Sequence, residues 1–267
     1  MALNERFFAA VRATLYGGKL TNAQVEGLNA IAAAFEKHGD GDRRKLAYIM
    51  ATAHHETGRQ FGPRVENLNY TSAARIVAVW PKRFTLETAK AYVRRPVALA
   101  NKVYNGRLGN RPGSNDGWDF RGRGLPMLTG YDHYVWFGKE LGVDLAGQPD
   151  LALQADIGAA ALVIGMVRGK FTGKALAPGV PDYVSARATI NADAGTKSAD
   201  GKTFGSMIAG YAQKFEVALK AGWSPGAPAG QLEPVPTVPL PEPPETLLSI
   251  LLAAIAAFFM RIRKEKP

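Results

Sequence analysis

Residues 21–58 have the sequence TNAQVEGLNAIAAAFEKHGDGDRRKLAYIMATAHHETG, and this stretch decides the fold class. Thr21, with Gln24 three residues later, has the form of a capping box that starts a helix. Apolar residues then recur at helical spacing until Gly39. Asp42 can cap a second helix, whose apolar face continues toward the Thr-Gly pair at the end of the stretch. The stretch therefore predicts two consecutive amphipathic helices.

The helical pattern recurs along the rest of residues 1–223. Alternating runs of β-branched residues, which would indicate strands, are almost absent. Long functional loops are expected between the helices, notably over residues 101–129. The sequence predicts a mainly α-helical domain over residues 1–223, with further helices over residues 86–93, 134–141, 151–168, 184–190 and 204–221.

Composition and charge limit the classes of function. The 267-residue chain has no cysteine, which excludes disulfide frameworks, thiolate zinc sites and a cysteine nucleophile. Hydrophobic residues make up 46% of the chain, which is enough for a sizeable core. The formal charge of +10 indicates an anionic partner, which could be nucleic acid, a membrane surface or a cell-wall polymer. Residues 224–267 carry four basic and four acidic side chains, so the whole surplus lies in residues 1–223.

Two different segments follow the predicted helical domain. Residues 224–245 contain eight of the chain's 17 prolines, which predicts a stiff, extended linker. Residues 247–260 are apolar at 13 of 14 positions and are followed by a basic cluster. This run is short for a membrane span, which needs about 17–25 residues, and a helix docked on the domain is the alternative. The linker and the basic end favour a hydrophobic helix over residues 246–267 that associates with a membrane.

Two glutamates are candidates for acid–base chemistry. Glu56 lies in the last turn of the second predicted helix, where the negative end of the helix dipole should raise its pKa. A carboxyl that stays protonated near neutral pH can serve as a general acid. Glu66 follows a Gly-Pro break, so a returning loop could bring it to face Glu56 at roughly 6.5–9.5 Å, the separation found in inverting glycosidases. Two glutamates ten residues apart are also commonly just solvated, and spacing alone leaves both interpretations open.

Two other chemistries are disfavoured by the residues present. A zinc motif of the form H-E-x-x-H would need histidine where Arg59 stands, so His54 and His55 are expected to pack or to form hydrogen bonds at a helix end. The glycine-rich segment at residues 120–124 lacks the spacing of a phosphate loop. A tight loop that lets the backbone approach a ligand or a neighbouring segment is the simpler interpretation. No metal, cofactor or nucleic acid is predicted.

Four motifs then occur in order: AHHETG at 53–58, ENLNYT at 66–71, YNGRLGN at 104–110 and FRGRGLPMLTGYDHY at 120–134. Together they resemble the motifs of glycoside hydrolase family 19, specifically the chitinase-like lysozymes of phage and prophage endolysin type. A later Ile-Asn pair at residues 190–191 is similar to the start of a further family segment. The resemblance covers most of residues 1–223.

The resemblance implies a two-lobed, lysozyme-like helical fold with a central cleft. It also implies hydrolysis of β-1,4 bonds in N-acetylated amino-sugar polymers, with inversion and without a cofactor. By motif position, Glu56 matches the general acid and Glu66 is the best candidate for the base. Thr129 matches a hydroxyl residue that helps to hold the attacking water. The residues expected to bind substrate are Asn191, Arg123, Tyr104, Met127 and His133.

The chain departs from the family pattern in the segment that should face the substrate. Met127 stands where glutamine is usual, Tyr131 where arginine is common, and His133 where asparagine is usual. Asn191 is followed by Ala-Asp instead of two glycines. These changes put the sugar contacts of this segment in doubt, whereas the two candidate carboxyls are kept.

The function expected from these features is that of a monomeric endolysin, which hydrolyses bacterial peptidoglycan and leads to host cell lysis. A chitinase and a catalytically inert wall- or membrane-binding protein are the alternatives. The N-terminal residues lack the pattern of a secretory signal, since Glu5 and Arg12 interrupt the apolar positions. Membrane lipid is expected to bind residues 246–267. The protein is therefore expected at the inner membrane, acting on the wall or in the periplasm, with a cytoplasmic location before lysis as a further option.

Overall fold

The secondary structure is almost entirely helical, which confirms the predicted mainly α fold class. The computed structural model describes residues 2–198 and 200–224. Two short 3-10 helices cover Pro149–Leu153 and Ser185–Thr189, and two strands, β1 (Ala2–Leu3) and β2 (Trp223–Ser224), pair antiparallel. The α-helices of the described residues are α1 (Glu5–Leu15), α2 (Asn22–His38), α3 (Arg43–Glu56), α4 (Ala73–Val79), α5 (Leu86–Lys90), α6 (Pro96–Tyr104), α7 (Asp116–Asp119), α8 (Tyr131–Leu141), α9 (Ala155–Val167) and α10 (Phe204–Gly222).

The predicted ends of α2 and α3 are confirmed. The Thr21 hydroxyl accepts the N–H of Gln24 at 3.3 Å, and the Gln24 side chain accepts the N–H of Thr21 at 2.8 Å, which completes the capping box. Helix α2 ends at the predicted glycine, Gly39. Asp42 caps α3 by accepting two backbone N–H groups of its first turn. These caps lie within three residues of the groups they satisfy, so the local sequence is enough to specify them.

Several elements differ from the predicted ones. Helices α1, α4, α6 and α7 have no counterpart among the predicted helices, and the end of α6 and all of α7 lie inside the loop expected at residues 101–129. Two start signals were present, because Asn4 caps α1 and Pro96 occupies the first turn of α6. The helix predicted over residues 184–190 is a 3-10 helix. The one predicted over residues 151–168 is divided into a 3-10 helix and α9, since Gln154 between them has extended backbone angles.

The described chain falls into two compact units, the first of which contains residues 2–62, 159–198 and 200–224. In this unit α10 packs against α1 and α3. Buried side chains on the three helices include Phe7, Phe8, Ile49, Phe215 and Leu219. Burial of this apolar surface fixes α3, whose last residue is Glu56.

His54 on α3 lies in an aromatic cluster of the first unit. Its ring centroid is 4.5 Å from that of Tyr211 and 5.9 Å from that of Phe215, both on α10. The Tyr16 hydroxyl lies 2.9 Å from His54 Nδ1. Burial lowers the pKa of His54 to about 3, so the ring is neutral at physiological pH. The expectation that this histidine packs and forms a hydrogen bond is confirmed.

The second unit is Pro63–Gly158 and contains α4 to α8. Its aromatic side chains make successive edge-on contacts, with ring centroids 5.5 Å apart for Tyr70 and Trp80 and 5.3 Å apart for Phe84 and Tyr92. Phe120 and Tyr134 form a second buried pair, with ring centroids 5.3 Å apart.

The glycine-rich segment at residues 120–124 is a tight loop of the second unit, as the simpler interpretation predicts. Gly124 has a φ of +69°, and a Cβ there would lie 2.2 Å from the carbonyl oxygen of Ala152. Any other residue would therefore both strain the backbone and collide with a neighbouring segment. Arg123 forms isolated β-bridges with Val65 and with Leu128, which tie the loop to the residues before and after it.

The predicted linker at 224–245 and the hydrophobic helix at 246–267 lie outside the described residues, apart from Ser224 in β2. Strand β2 pairs with β1, with Ala2 opposite Ser224 and Leu3 opposite Trp223. Within residues 2–198 and 200–224, none of the helices combines the length and the apolar character needed to cross a membrane. The division of the chain at residues 223 and 245 stays a prediction.

Candidate active site

Glu56, the last residue of α3, is buried in the first unit against a charged partner. Its Oε1 accepts a hydrogen bond from Arg187 Nη1 at 2.5 Å, and the Arg187 side chain is fully buried. Arg187 also donates from Nε to Asp193 Oδ1 at 2.7 Å and from Nη2 to Asp193 Oδ2 at 3.2 Å. One buried guanidinium thus bridges two carboxylates and stabilises the negative charge of both.

The predicted rise in the pKa of Glu56 is wrong. Burial does raise this pKa, but the positive charge of Arg187, the charge of His55 and the Arg187 hydrogen bond together outweigh burial and hold it below its ordinary value. The helix-dipole argument used only the neighbours of Glu56 in the chain, whereas Arg187 is 131 residues away. Glu56 is therefore ionised in the free protein at neutral pH, and it can donate a proton only after it has taken one up.

Asn191 lies in the same cluster as Glu56. Its Nδ2 donates to Asp193 Oδ2 at 3.1 Å, and its Oδ1 accepts the N–H of Ala192 at 2.8 Å. The Ala-Asp pair that departs from the family pattern therefore supplies the carboxylate that holds both Arg187 and Asn191. Contact of Asn191 with a substrate stays a prediction.

Glu66 is buried in the second unit and is held from two sides. The Tyr104 hydroxyl, at the end of α6, donates to Glu66 Oε1 at 2.5 Å. The backbone N–H of Gly122 donates to Glu66 Oε2 at 3.2 Å, and the N–H of Glu66 donates to the Gly122 carbonyl at 2.8 Å. Helix α6 and the glycine-rich loop thus fix the position of this carboxyl.

The pKa of Glu66 moves in the opposite direction to that of Glu56. Burial raises the pKa of Glu66, and the hydrogen bonds from Tyr104 and Gly122 and the charge of Arg121 only partly offset it, so the pKa lies above its ordinary value. Two carboxyls whose environments separate their pKa values are typical of acid–base pairs. In the free protein Glu66 holds a proton more readily than Glu56, which is the reverse of the order expected from motif position.

Thr129 and Met127 approach Glu66 around Gly122. A side-chain carbon at residue 122 would lie 2.9 Å from Met127 Cε, 3.3 Å from Thr129 Oγ1 and 3.4 Å from Glu66 Cβ. The Thr129 hydroxyl donates to the Met127 carbonyl at 2.9 Å. The missing side chain at Gly122 therefore allows three of the predicted site residues to meet.

Arg123 is engaged by other protein groups. The residue is 4% exposed, its Nε donates to Asp150 Oδ1 at 2.7 Å, and its Nη1 donates to the Asp119 carbonyl at 2.6 Å and to the Tyr134 hydroxyl at 3.1 Å. These contacts hold the glycine-rich loop against the end of α7. The predicted sugar contact of Arg123 stays a prediction, beside this structural role.

The remaining predicted residues lie on α8 and α6. His133 Nδ1 is 2.8 Å from the Thr129 carbonyl oxygen, and since a carbonyl only accepts, Nδ1 carries the proton. This bond links His133 to the residue expected to hold the attacking water. Tyr131 is 40% exposed, with its ring edge-on to Phe120. Tyr104, in contrast, is 1% exposed and offers its hydroxyl to Glu66.

Three residues of these clusters, Arg187, Asp193 and Gly122, are not among the predicted site residues. Gly122 was within reach of sequence reasoning, because it lies inside the glycine-rich motif. Arg187 and Asp193 carry no local signal, since their partners are set by the fold. Among residues 2–198 and 200–224, no three His, Asp or Glu side chains are placed to hold a metal ion together.

The chain is similar to a known protein over about half of its length. No protein-family model matches the chain. Over 135 residues it is 41% identical to a "Glycosyl hydrolase family 19 domain-containing protein" of Haemophilus influenzae. The match covers 48% of this chain and 66% of the relative, so the chain spans just under two thirds of the relative's length.

The similarity supports glycosyl hydrolase family 19. It agrees with the resemblance carried by the four motifs at residues 53–134. The endolysin type, the membrane-associating tail and the roles of individual site residues stay predictions.

Proposed function

We propose that this chain is a peptidoglycan-degrading glycoside hydrolase of endolysin type, which cleaves β-1,4 bonds by an inverting acid–base mechanism. The observation that carries the proposal is the pair of buried carboxyls, Glu56 and Glu66, each held by its own hydrogen-bond donors and with opposite pKa shifts. The similarity to a family 19 protein supports the reaction class. The positive charge on residues 1–223 supports an anionic polymer such as the bacterial wall.

In the proposed mechanism Glu56 protonates the leaving oxygen, Glu66 takes a proton from the attacking water, and Thr129 helps to hold that water. Glu56 must then be protonated against the attraction of Arg187, and Glu66 must be ionised despite its burial. Of the two states in which the pair holds one proton, the reacting state has the proton on Glu56. It is the less populated of the two at any pH, because Glu66 has the higher pKa. Substrate binding by Asn191, Arg123, Met127 and His133 belongs to the same proposal.

Replacing either carboxyl tests the mechanism. The purified protein should clear permeabilised bacterial cells and release new reducing ends from isolated sacculi. Glu56→Gln and Glu66→Gln should each lower the rate of reducing-end release by about 10²–10⁴-fold, because each removes a group that moves a proton in the transition state. Glu87→Gln is the matched control, since the Glu87 side chain is 81% exposed and forms an exposed ion pair with Lys90 of α5. A Glu56→Gln variant that releases reducing ends as fast as the wild type would refute the mechanism.

A substrate with an activated leaving group separates the acid from the base. A dinitrophenyl oligosaccharide of the wall or of chitin needs little proton assistance to leave. The variant that lacks the acid should recover activity on this substrate, and the variant that lacks the base should not. If Glu66→Gln regained activity on this substrate and Glu56→Gln did not, Glu66 would be the acid and Glu56 the base.

Two alternatives are distinguished by substrate turnover. A chitinase would use the same chemistry on N-acetylglucosamine polymers, and it should turn over chitin faster than sacculi in side-by-side assays. A catalytically inert binding protein is suggested by the departures at Met127, Tyr131 and His133. That protein would bind sacculi and release no reducing ends.

The proposal also includes association with a membrane through residues 246–267, and hence an inner-membrane location from which the enzyme acts on the wall. The support is the sequence of this segment, which is apolar at 13 of 14 positions over residues 247–260 and basic beyond them. A clustered positive charge beside an apolar helix favours the cytoplasmic side of a membrane or an anionic lipid surface.

A further inference from the structure

A buried tyrosine, Tyr104, contacts the carboxyl of Glu66. We infer that Tyr104 is a positioning residue, whose hydroxyl, together with the Gly122 N–H, holds the Glu66 carboxylate in a fixed orientation. The catalytic part of this inference rests on the proposed function. It replaces the predicted role of Tyr104 as a sugar-binding side chain.

The hydrogen bonds divide the two oxygens of Glu66 between two donors. Tyr104 donates to Oε1 at 2.5 Å, and Gly122 donates to Oε2 at 3.2 Å. An ionised carboxylate is an acceptor at both oxygens, so this arrangement fits the charged form of the side chain. A general base needs this form, and it also needs a fixed direction for its remaining lone pairs.

Tyr104 itself is firmly placed. It is the last residue of α6, it is 1% exposed, and its carbonyl accepts a hydrogen bond from Asn110 Nδ2 at 3.2 Å. Asn110 also accepts the N–H of Tyr131, the first residue of α8, at 2.9 Å. The Tyr104 hydroxyl is therefore presented from a backbone that is tied to two helices of the second unit, and its burial leaves no surface on which a sugar ring could stack.

The charged and titratable groups that face Glu66 come from three segments. Tyr104 belongs to α6, and Arg121 belongs to the loop that also carries Gly122. Tyr70 lies four residues after Glu66; burial raises the pKa of its hydroxyl, and electrostatic interaction with Glu66 raises it further. The Tyr70 hydroxyl is buried and has no hydrogen-bond partner among the described residues. Tyr70 thus interacts electrostatically with Glu66, as Tyr104 does, but it forms no hydrogen bond with the Glu66 carboxyl.

This pair of tyrosines supplies a matched experiment. Tyr104→Phe removes a donor to the carboxylate and leaves the ring, so the apparent pKa of Glu66 should rise by about one to two units. Tyr70→Phe removes a hydroxyl without a partner and should leave the pKa of Glu66 unchanged. The titration is measured by carbon-13 NMR of glutamate-labelled full-length protein, with the Glu66 signal assigned by its loss in Glu66→Gln.

Cleavage of sacculi gives a second measurement on the same variants. In Tyr104→Phe the higher Glu66 pKa makes the reacting protonation state rarer, so the maximum turnover number should fall about tenfold per unit of that rise. Because Glu66 has the higher pKa of the pair, the alkaline limb of the pH–rate profile should move up by the same amount. The Michaelis constant should change less than twofold, because Tyr104 does not touch the sugar. A large rise in the Michaelis constant with an unmoved pH profile would instead restore the sugar-binding role and overturn the inference.

A second substitution keeps the inference testable should Tyr104→Phe fail to fold. Site-specific 3-fluorotyrosine at residue 104 preserves the shape and makes the hydroxyl a stronger donor, so the pKa of Glu66 should fall. An unchanged Glu66 pKa in this folded protein would overturn the inference. Because the titration needs no substrate, a shifted pKa in a protein without glycosidase activity would refute the proposed function and leave the positioning contact standing.

Discussion

At the scale of single residues, Arg187 is a buried positive charge that forms ion pairs with two carboxylates. Its side chain is fully buried and is shared between Glu56 and Asp193. Removing one partner of a buried ion pair leaves the others as uncompensated charges, which costs far more than the loss of a surface pair. Arg187 therefore supports the folded state as well as the ionised form of Glu56.

Arg187→Met should lower the free energy of unfolding by about 3–5 kcal/mol at neutral pH, measured by urea denaturation. The folded pKa of Glu56 lies below its unfolded value, so the stability from this contact is present above the unfolded pKa and is lost as the pH falls through the folded pKa. The difference between wild type and variant should accordingly shrink in acid. Lys90→Met is the control, since its ion pair with Glu87 is exposed and should contribute less than about 1 kcal/mol. Equal losses in the two variants would contradict the argument.

At the scale of elements, α3 connects the core of the first unit to the candidate acid. Asp42 caps its start and also accepts the N–H of Gly179 at 2.6 Å, His54 packs in its last turn, and Glu56 ends it. Asp42 and His54 therefore stabilise the same helix that ends in the candidate acid. The packing of α3 against its neighbours therefore helps to hold Glu56 in position.

His54 should make the first unit sensitive to acid. Its pKa is lowered from 6.5 to about 3, so the neutral ring stabilises the fold above pH 6.5, and this stability is lost as the pH falls toward the folded pKa. Between neutrality and about pH 4, the wild type should lose up to about 1.4 kcal/mol per pH unit more than His54→Gln in urea denaturation. His38→Gln is the comparison: burial also lowers the pKa of His38, at a part-buried position at the end of α2, so this substitution should reduce the slope by a smaller amount. Parallel profiles for the wild type and His54→Gln would count against the prediction.

How far the sequence predicts the fold and the site depends on the distance between interacting residues. The caps of α2 and α3 were predictable, because Thr21, Gln24 and Asp42 act on groups two or three residues away. The contacts of the two carboxyls were not, because Arg187 is 131 residues from Glu56 and Tyr104 is 38 residues from Glu66. The motifs pointed to both carboxyls, whose roles as acid and base stay predictions, while the direction of the Glu56 pKa depended on a partner that only the fold supplies.

At the scale of the whole molecule, the charge and the apolar tail belong to different parts of the chain. All of the surplus positive charge lies in residues 1–223, and the longest apolar run lies in residues 247–260. If the proposed function holds, attraction of the first part to an anionic wall should weaken with salt, whereas insertion of the second part into lipid should not. The two modes of attachment can therefore be separated by experiment.

Truncation after Ser224, which keeps β2 and its pairing with β1, should leave cleavage of sacculi within about twofold of the full chain and keep its sensitivity to salt. The truncated protein should lose binding to uncharged lipid vesicles in a flotation assay, and the full chain should bind them at low and at high salt. Protease protection of a C-terminal tag in spheroplasts then reports the side of the membrane. Equal vesicle binding by the two proteins would show that residues 225–267 are not the lipid-binding part.

The pairing of β1 with β2 has a consequence for chain topology. Because residue 2 lies opposite Ser224, the described chain comes close to forming a closed ring. A few added residues could join these two ends, and the ring could be opened at an exposed turn such as the one at Gly113, where a side chain would meet no neighbour within 4 Å. In such a circular permutant the motif with Tyr104 would precede the opening and the glycine-rich loop would follow the new start. If the permutant folds, the contacts of Glu56 with Arg187 and of Glu66 with Tyr104 should form as in the original chain, because they depend on the folded arrangement and not on where the chain begins.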